Sequence, residues 1–105
     1  MTGYIGFTEA FTGEVAGSVT AAQLPAALRR SCKRVLIRAR SDNGADSVYI
    51  GFDPGVTVPD GASDATTGIE ITAGDPPLML DIPHTDQIWY ICSAATADFT
   101  ICILS

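Results

Sequence analysis

The chain lacks positive charge over almost its whole length. Its six lysines and arginines all lie between residues 29 and 40, whereas its twelve acids lie outside that window, and the formal net charge is −6. An acidic body repels the phosphate backbone, which argues against general nucleic-acid binding and leaves open only a local phosphate contact at the basic window. A cationic window beside an acidic body favours docking onto an acidic partner or onto another copy of the chain.

The sequence also has few of the side chains that carry catalysis or hold metals. Its one histidine, His84, follows Pro83 in a corner, and we find no nucleophile motif, phosphate-binding glycine loop or zinc signature. The three cysteines cannot all pair within one chain, and their spacing matches no zinc site. We predict buried free thiols in a reducing cytoplasm, no cofactor and no enzymatic activity.

Long apolar runs are missing as well. The longest is far shorter than a membrane span, and residues 1–15 have neither a basic residue nor the continuous apolar core of a signal peptide. We therefore predict that the protein is made in the cytoplasm and does not associate with a membrane. A length of 105 residues with 47% hydrophobic content indicates one small globular domain.

In several stretches from residue 33 onward, apolar residues alternate with other residues, so that every second position is apolar. The pattern predicts six strands, at 33–40, 47–52, 69–73, 78–82, 87–93 and 99–104. Turn sequences such as Asp42-Asn43-Gly44 and Asp53-Pro54-Gly55 separate them. Many short strands at roughly ten-residue spacing predict an all-β fold, an antiparallel β-sandwich or jelly-roll-like single domain over residues 23–105.

Residues 1–22 have a different composition, rich in glycine and aromatic residues and poor in charge. We predict an extended N-terminal arm, with a strand possible at 8–12. Exposed Tyr4, Phe7 and Phe11 would favour aggregation, so we expect them to pack on a neighbouring subunit. A fraying terminus is the alternative.

The basic window supplies the candidate interface. On strand 33–40, Arg34, Arg38 and Arg40 share the face opposite the core, and with Arg29 and Arg30 they form a predicted partner or oligomer interface. The planar guanidinium suits bidentate binding of carboxylates on a partner. The alternative is ordinary cross-strand ion pairing within the subunit.

An aromatic site is a further possibility. Trp89, in strand 87–93, could stack on a glycan. Because apolar residues occupy both faces of that strand, we instead expect Trp89 to lie in the core.

A series of short motifs carries a resemblance to known proteins. They are Ala22-Gln23-Leu24-Pro25, Ser31-Cys32-Lys33-Arg34-Val35, Asn43-Gly44, Val48-Tyr49-Ile50-Gly51, Ala73-Gly74-Asp75, Leu80-Asp81-Ile82 and Thr85-Asp86-Gln87-Ile88-Trp89-Tyr90-Ile91. In this order and spacing, residues 24–105 resemble a group of small structural proteins of tailed bacteriophages. Residues 1–22 take no part in the resemblance beyond its first motif.

The resemblance implies a compact β-sandwich in a virion, and trimers are common in such proteins. We expect a non-enzymatic capsid decoration (cement) protein that stabilises the phage head by bridging capsid subunits. Its partners would be the major capsid protein and itself, in a homo-oligomer such as a trimer, after synthesis in the host bacterial cytoplasm. The alternatives are a tail, baseplate or fibre module and a host-surface glycan-binding domain.

Overall fold

Eight strands form the part of the protein that the structure describes. The computed structural model describes residues 9–59 and 67–105, so Tyr4 and Phe7 lie outside the described residues. The strands are β1 (Ala10–Val15), β2 (Ala22–Gln23), β3 (Arg34–Ala39), β4 (Ser47–Gly51), β5 (Ile69–Thr72), β6 (Leu78–Leu80), β7 (Trp89–Cys92) and β8 (Phe99–Leu104). Three short 3-10 turns cover Ala26–Leu28, Ser41–Asn43 and Thr85–Gln87. The six strands predicted from residue 33 onward are all present. The first five are slightly shorter than predicted, and β8 has the predicted bounds.

The strands form two antiparallel four-stranded sheets. The first sheet has the order β1-β8-β3-β6 and the second the order β2-β7-β4-β5. The pairs β1·β8, β2·β7, β3·β6 and β4·β5 are those of one long antiparallel hairpin, and the pairs β3·β8 and β4·β7 roll that hairpin into two sheets. This is the strand order of an eight-stranded jelly roll. The predicted all-β sandwich is confirmed.

The core lies between the sheets and follows the predicted alternation. In the first sheet Val35 and Ile37 face Ile103 and Ile101 across β3 and β8, and all four side chains are buried. Phe99 of the same sheet meets Tyr90 of the second sheet edge to face, with ring centroids 5.0 Å apart. Such apolar burial, at about 25 cal/mol per Å², is the main stabilising term of a small domain.

Part of the segment predicted as an arm belongs to the first sheet. Strand β1 pairs with β8 from Ala10 to Val15, so it begins two residues later than predicted and runs further. A Cβ on Gly13 would lie 2.5 Å from a methyl carbon of Leu28, so the small residue lets the Ala26–Leu28 turn pack closely against β1. Residues 10–15 are therefore an edge strand of the sandwich.

Residues 52–59 and 67–68, between β4 and β5, cover part of the outer face of the second sheet. Val56 packs over Gly51, where a Cβ would lie 2.6 Å from a Val56 methyl carbon, and a Cβ on Gly68 would lie 2.9 Å from Tyr49. Tyr49 is consequently buried although it faces away from the core, and its hydroxyl donates to Glu70 at 3.0 Å. Trp89 of β7, on the same face, is only half-buried.

Candidate binding surfaces

Two of the predicted interface arginines pair with acids of their own chain. Arg34 binds Asp81 in a bidentate manner, with Nε 2.5 Å from Oδ1 and Nη2 3.1 Å from Oδ2. These hydrogen bonds lower the pKa of the Asp81 carboxyl group below its ordinary value. Arg40 pairs with Glu14 of β1 and, at 3.3 Å, with Asp42. For Arg34 and Arg40 the alternative of pairing within the subunit is therefore what the structure shows.

Two further interface residues, Arg30 and Phe11, contact each other. The Arg30 guanidinium lies over the Phe11 ring, 3.8 Å from its centroid, which is a cation–π contact. Arg29 remains exposed, but its Nε donates to the Leu24 carbonyl oxygen at 2.6 Å. These contacts fasten the segment before β3 to its own subunit.

Arg38 differs from the other arginines of the window. Its side chain is exposed on the outer face of the first sheet, beside Thr100 of β8. Unlike the side chains of the other four arginines, it forms no ion pair, hydrogen bond or ring contact with a described residue. Of the predicted interface residues, it is therefore the one whose charge the structure leaves best placed for a partner.

Arg38 stands at the rim of a depression, here called the outer-face recess. The floor follows one row of the sheet, in which Thr12, Cys102 and Leu36 are neighbours in register on β1, β8 and β3. The recess has a volume of about 490 Å³ and is lined by Thr12, Gly13, Glu14, Leu36, Arg38, Pro77, Thr100, Ile101 and Cys102. Its chemistry suits an apolar side chain next to a carboxylate that pairs with Arg38.

The cysteines are free thiols, and their positions only partly match the prediction. Cys32 and Cys92 are buried, and burial raises the pKa of each thiol. Cys102 is half-exposed in the floor of the outer-face recess, so the prediction that it is buried was wrong. The alternation of β8 placed Cys102 opposite Ile101 and Ile103 but could not show whether the outer face is covered.

The prediction that Trp89 lies in the core was also wrong. On β7 the buried residues are Tyr90 and Cys92, so Trp89 faces outward. It lines an open pocket of about 700 Å³ together with Phe52, Ile82, Asp86 and Gln87, here called the Trp89 pocket. The sequence analysis named Trp89 as a possible aromatic site but favoured the core, because apolar residues on both faces of a strand do not show which face has a covering layer.

The described part of the chain contains neither a cluster of metal ligands nor a membrane-spanning helix. Within residues 9–59 and 67–105, no group of three or more His, Cys, Asp or Glu side chains is placed to hold a metal ion. No helix in that part of the chain is long and apolar enough to cross a membrane.

Comparison with known proteins places the chain in no family. No protein-family model matches it, and no curated protein and no solved structure shows significant similarity. The class that can be stated is therefore structural: an all-β sandwich of two four-stranded antiparallel sheets in jelly-roll order.

Proposed function

We propose that the chain is a non-enzymatic structural protein of a tailed-bacteriophage virion, and specifically a decoration protein that bridges capsid subunits on the head. The observation that carries the docking role is the outer-face recess, where an exposed Arg38 without an ion pair among the described residues adjoins Leu36 and Cys102. The assignment to a phage rests on the resemblance of residues 24–105, for which the comparisons supply no relative. Jelly rolls serve as capsid and as lectin domains, so the fold alone does not choose between functions.

Docking would combine burial of an apolar side chain with one ion pair. A partner side chain entering the recess excludes water around Arg38, and the lower local dielectric strengthens the pairing of its guanidinium with a partner carboxylate. Such a pair gives specificity more than affinity. A contact of modest strength, repeated at many symmetric sites of a closed shell, still holds the shell through avidity.

The edge of β1 supports an oligomer or a strand-pairing partner. Glu9 and Ser105 exchange two backbone hydrogen bonds, of 2.9 and 3.3 Å, so the alternate residues Phe11, Gly13 and Val15 also direct their backbone groups towards β8. The backbone groups of Ala10, Thr12 and Glu14 then point away from the sheet. No described strand pairs with that edge, and exposed edges are commonly covered by another chain.

The location of the protein tests the proposal against its main alternative. Phage particles are purified and labelled with immunogold against the protein, and we expect the label on their heads. Label on the tail alone would instead support a tail, baseplate or fibre module. Absence of the protein from all particles would refute both.

A charge reversal tests the docking surface itself. Arg38→Glu should leave the fold intact and lower particle occupancy at least tenfold, because it places a carboxylate where the partner's is expected. Arg34→Glu changes the net charge by the same amount on the same strand, but Arg34 already pairs with Asp81, so a smaller loss is expected. Occupancy of Arg38→Glu equal to wild type, measured by quantitative gel analysis of purified particles, would overturn the assignment of this face.

A further inference from the structure

We propose that the Trp89 pocket is a carbohydrate-binding site that takes a neutral pyranose unit of a glycan. The pocket is lined by Phe52, Ile82, Asp86, Gln87 and Trp89, none of which lines the outer-face recess. The inference therefore goes beyond the virion role and does not rest on it.

Two aromatic rings supply the apolar part of the site. Trp89 is half-buried on the outer face of β7, and Phe52, directly after β4, has 49% of its surface exposed. Trp89 pairs in register with Gly51, so the two aromatic side chains come from adjacent positions of neighbouring strands. The face of an aromatic ring is electron-rich and attracts the positively polarised C–H bonds on one side of a pyranose ring.

The polar part of the site comes from a turn that is held in place by hydrogen bonds. Asp86 and Gln87 belong to the Thr85–Gln87 turn and have exposed side chains. The Asp86 N–H donates to Nδ1 of His84 at 3.1 Å, and the Asp86 carbonyl oxygen accepts from Nε2 of Gln23 at 2.7 Å. A backbone fixed in this way holds the Asp86 carboxylate and the Gln87 amide beside the rings, so that binding has to order only their side chains.

The donor and acceptor pattern favours a sugar over other ligands that stack on aromatic rings. A carboxylate accepts two hydrogen bonds, and an amide both donates and accepts, which matches vicinal hydroxyl groups. A nucleotide phosphate would meet the Asp86 charge and an acidic chain. A cationic side chain would pair with the Asp86 carboxylate and stack on the two aromatic rings, but it would leave part of the hydrogen-bonding capacity of the Gln87 amide unused.

The single tryptophan of the sequence reports directly on the pocket. The full chain is titrated with methyl glycosides of glucose, galactose, mannose and N-acetylglucosamine and with their short oligosaccharides, while Trp89 emission is recorded. We expect a saturable change with at least one of them and a dissociation constant on the order of 1 mM, as for other shallow sites of few contacts. Binding is confirmed by saturation-transfer NMR, which also allows Trp89→Ala to be tested.

Matched variants locate the binding. Phe52→Ala and Asp86→Asn should each weaken it at least tenfold, and Trp89→Ala should abolish it. Met79→Ala, which truncates an exposed side chain of the first sheet, should bind as wild type. Circular dichroism checks that each variant is folded, which is expected because Phe52 and Asp86 are exposed.

Three results would overturn the proposal. One is the absence of binding to every saccharide of the panel. Another is unchanged affinity in either Phe52→Ala or Asp86→Asn. The third is saturable binding of acetyl-arginine amide with no sugar bound, which would assign the pocket to a cationic side chain of a protein partner.

Discussion

The buried hydroxyl of Thr85 gives the sharpest prediction about stability. Thr85 is fully buried at the corner between β6 and β7. Its hydroxyl donates to the Leu28 carbonyl oxygen at 2.7 Å and accepts the Arg30 N–H at 2.8 Å, while its own N–H donates to the Arg30 carbonyl oxygen at 3.0 Å. One side chain therefore joins the segment before β3 to the turn that carries Asp86.

Replacing Thr85 with valine keeps the volume and removes only the hydroxyl. The Leu28 carbonyl oxygen and the Arg30 N–H then lose a partner, and each unsatisfied buried group costs about 1–3 kcal/mol. We expect Thr85→Val to lower the free energy of unfolding by about 2–4 kcal/mol, allowing for partial relaxation. This is a large share of the ~5–15 kcal/mol that holds a typical domain together.

Thr85→Ser is the matched control. It keeps both hydrogen bonds and loses one methyl group, which costs about 1 kcal/mol. Urea unfolding followed by circular dichroism and by Trp89 fluorescence gives both values, with equal slopes expected for the two variants. If Thr85→Val is no less stable than Thr85→Ser, the hydroxyl does not hold this corner and the argument is wrong.

Three further predictions concern acid stability, thiol reactivity and packing. Hydrogen bonds from the N–H and hydroxyl of Thr72 lower the pKa of Asp75 below its ordinary 3.8. The stability that the ionised Asp75 gives the folded protein is therefore complete above that value and is lost as the pH falls through the pKa of the folded state. An NMR titration of Thr72→Val, which lacks the hydroxyl donor, should show a higher Asp75 pKa. A thiol reagent should label Cys102 in the native protein well before Cys92, and equal rates would contradict the described burial. Gly17→Ala should lower the free energy of unfolding by about 1–3 kcal/mol in a urea titration, because its Cβ would lie 2.6 Å from a backbone oxygen; wild-type stability would refute this.

The sequence predicts the strands and their faces well because side-chain alternation is a local property. Val35 and Ile37 belong to the core and Arg38 to the outside whatever strand lies beside them, since successive side chains of a strand point to opposite faces. The turns follow for the same reason. Gly44, in the predicted Asp42-Asn43-Gly44 turn, has a positive φ of 63°, which glycine adopts at little cost.

Whether an outward face is covered depends on residues far away in the chain. Asp81 reaches Arg34 across 47 positions and neutralises it, whereas no described acid pairs with Arg38, four residues later on the same face. Trp89 and Cys102 were expected to be buried because their strands are apolar. Both remain accessible because, among residues 9–59 and 67–105, no segment packs fully over Trp89 or over Cys102.

The amino-acid sequence by itself thus determined an all-β chain, the approximate positions of six strands and the alternation of side chains within each strand, because these depend on neighbours one to four residues apart. The tertiary structure alone decided the jelly-roll strand order, the place of residues 10–15 in the first sheet, and which arginines are neutralised. Those outcomes depend on contacts between residues tens of positions apart, whose free energies are settled only when the whole chain packs.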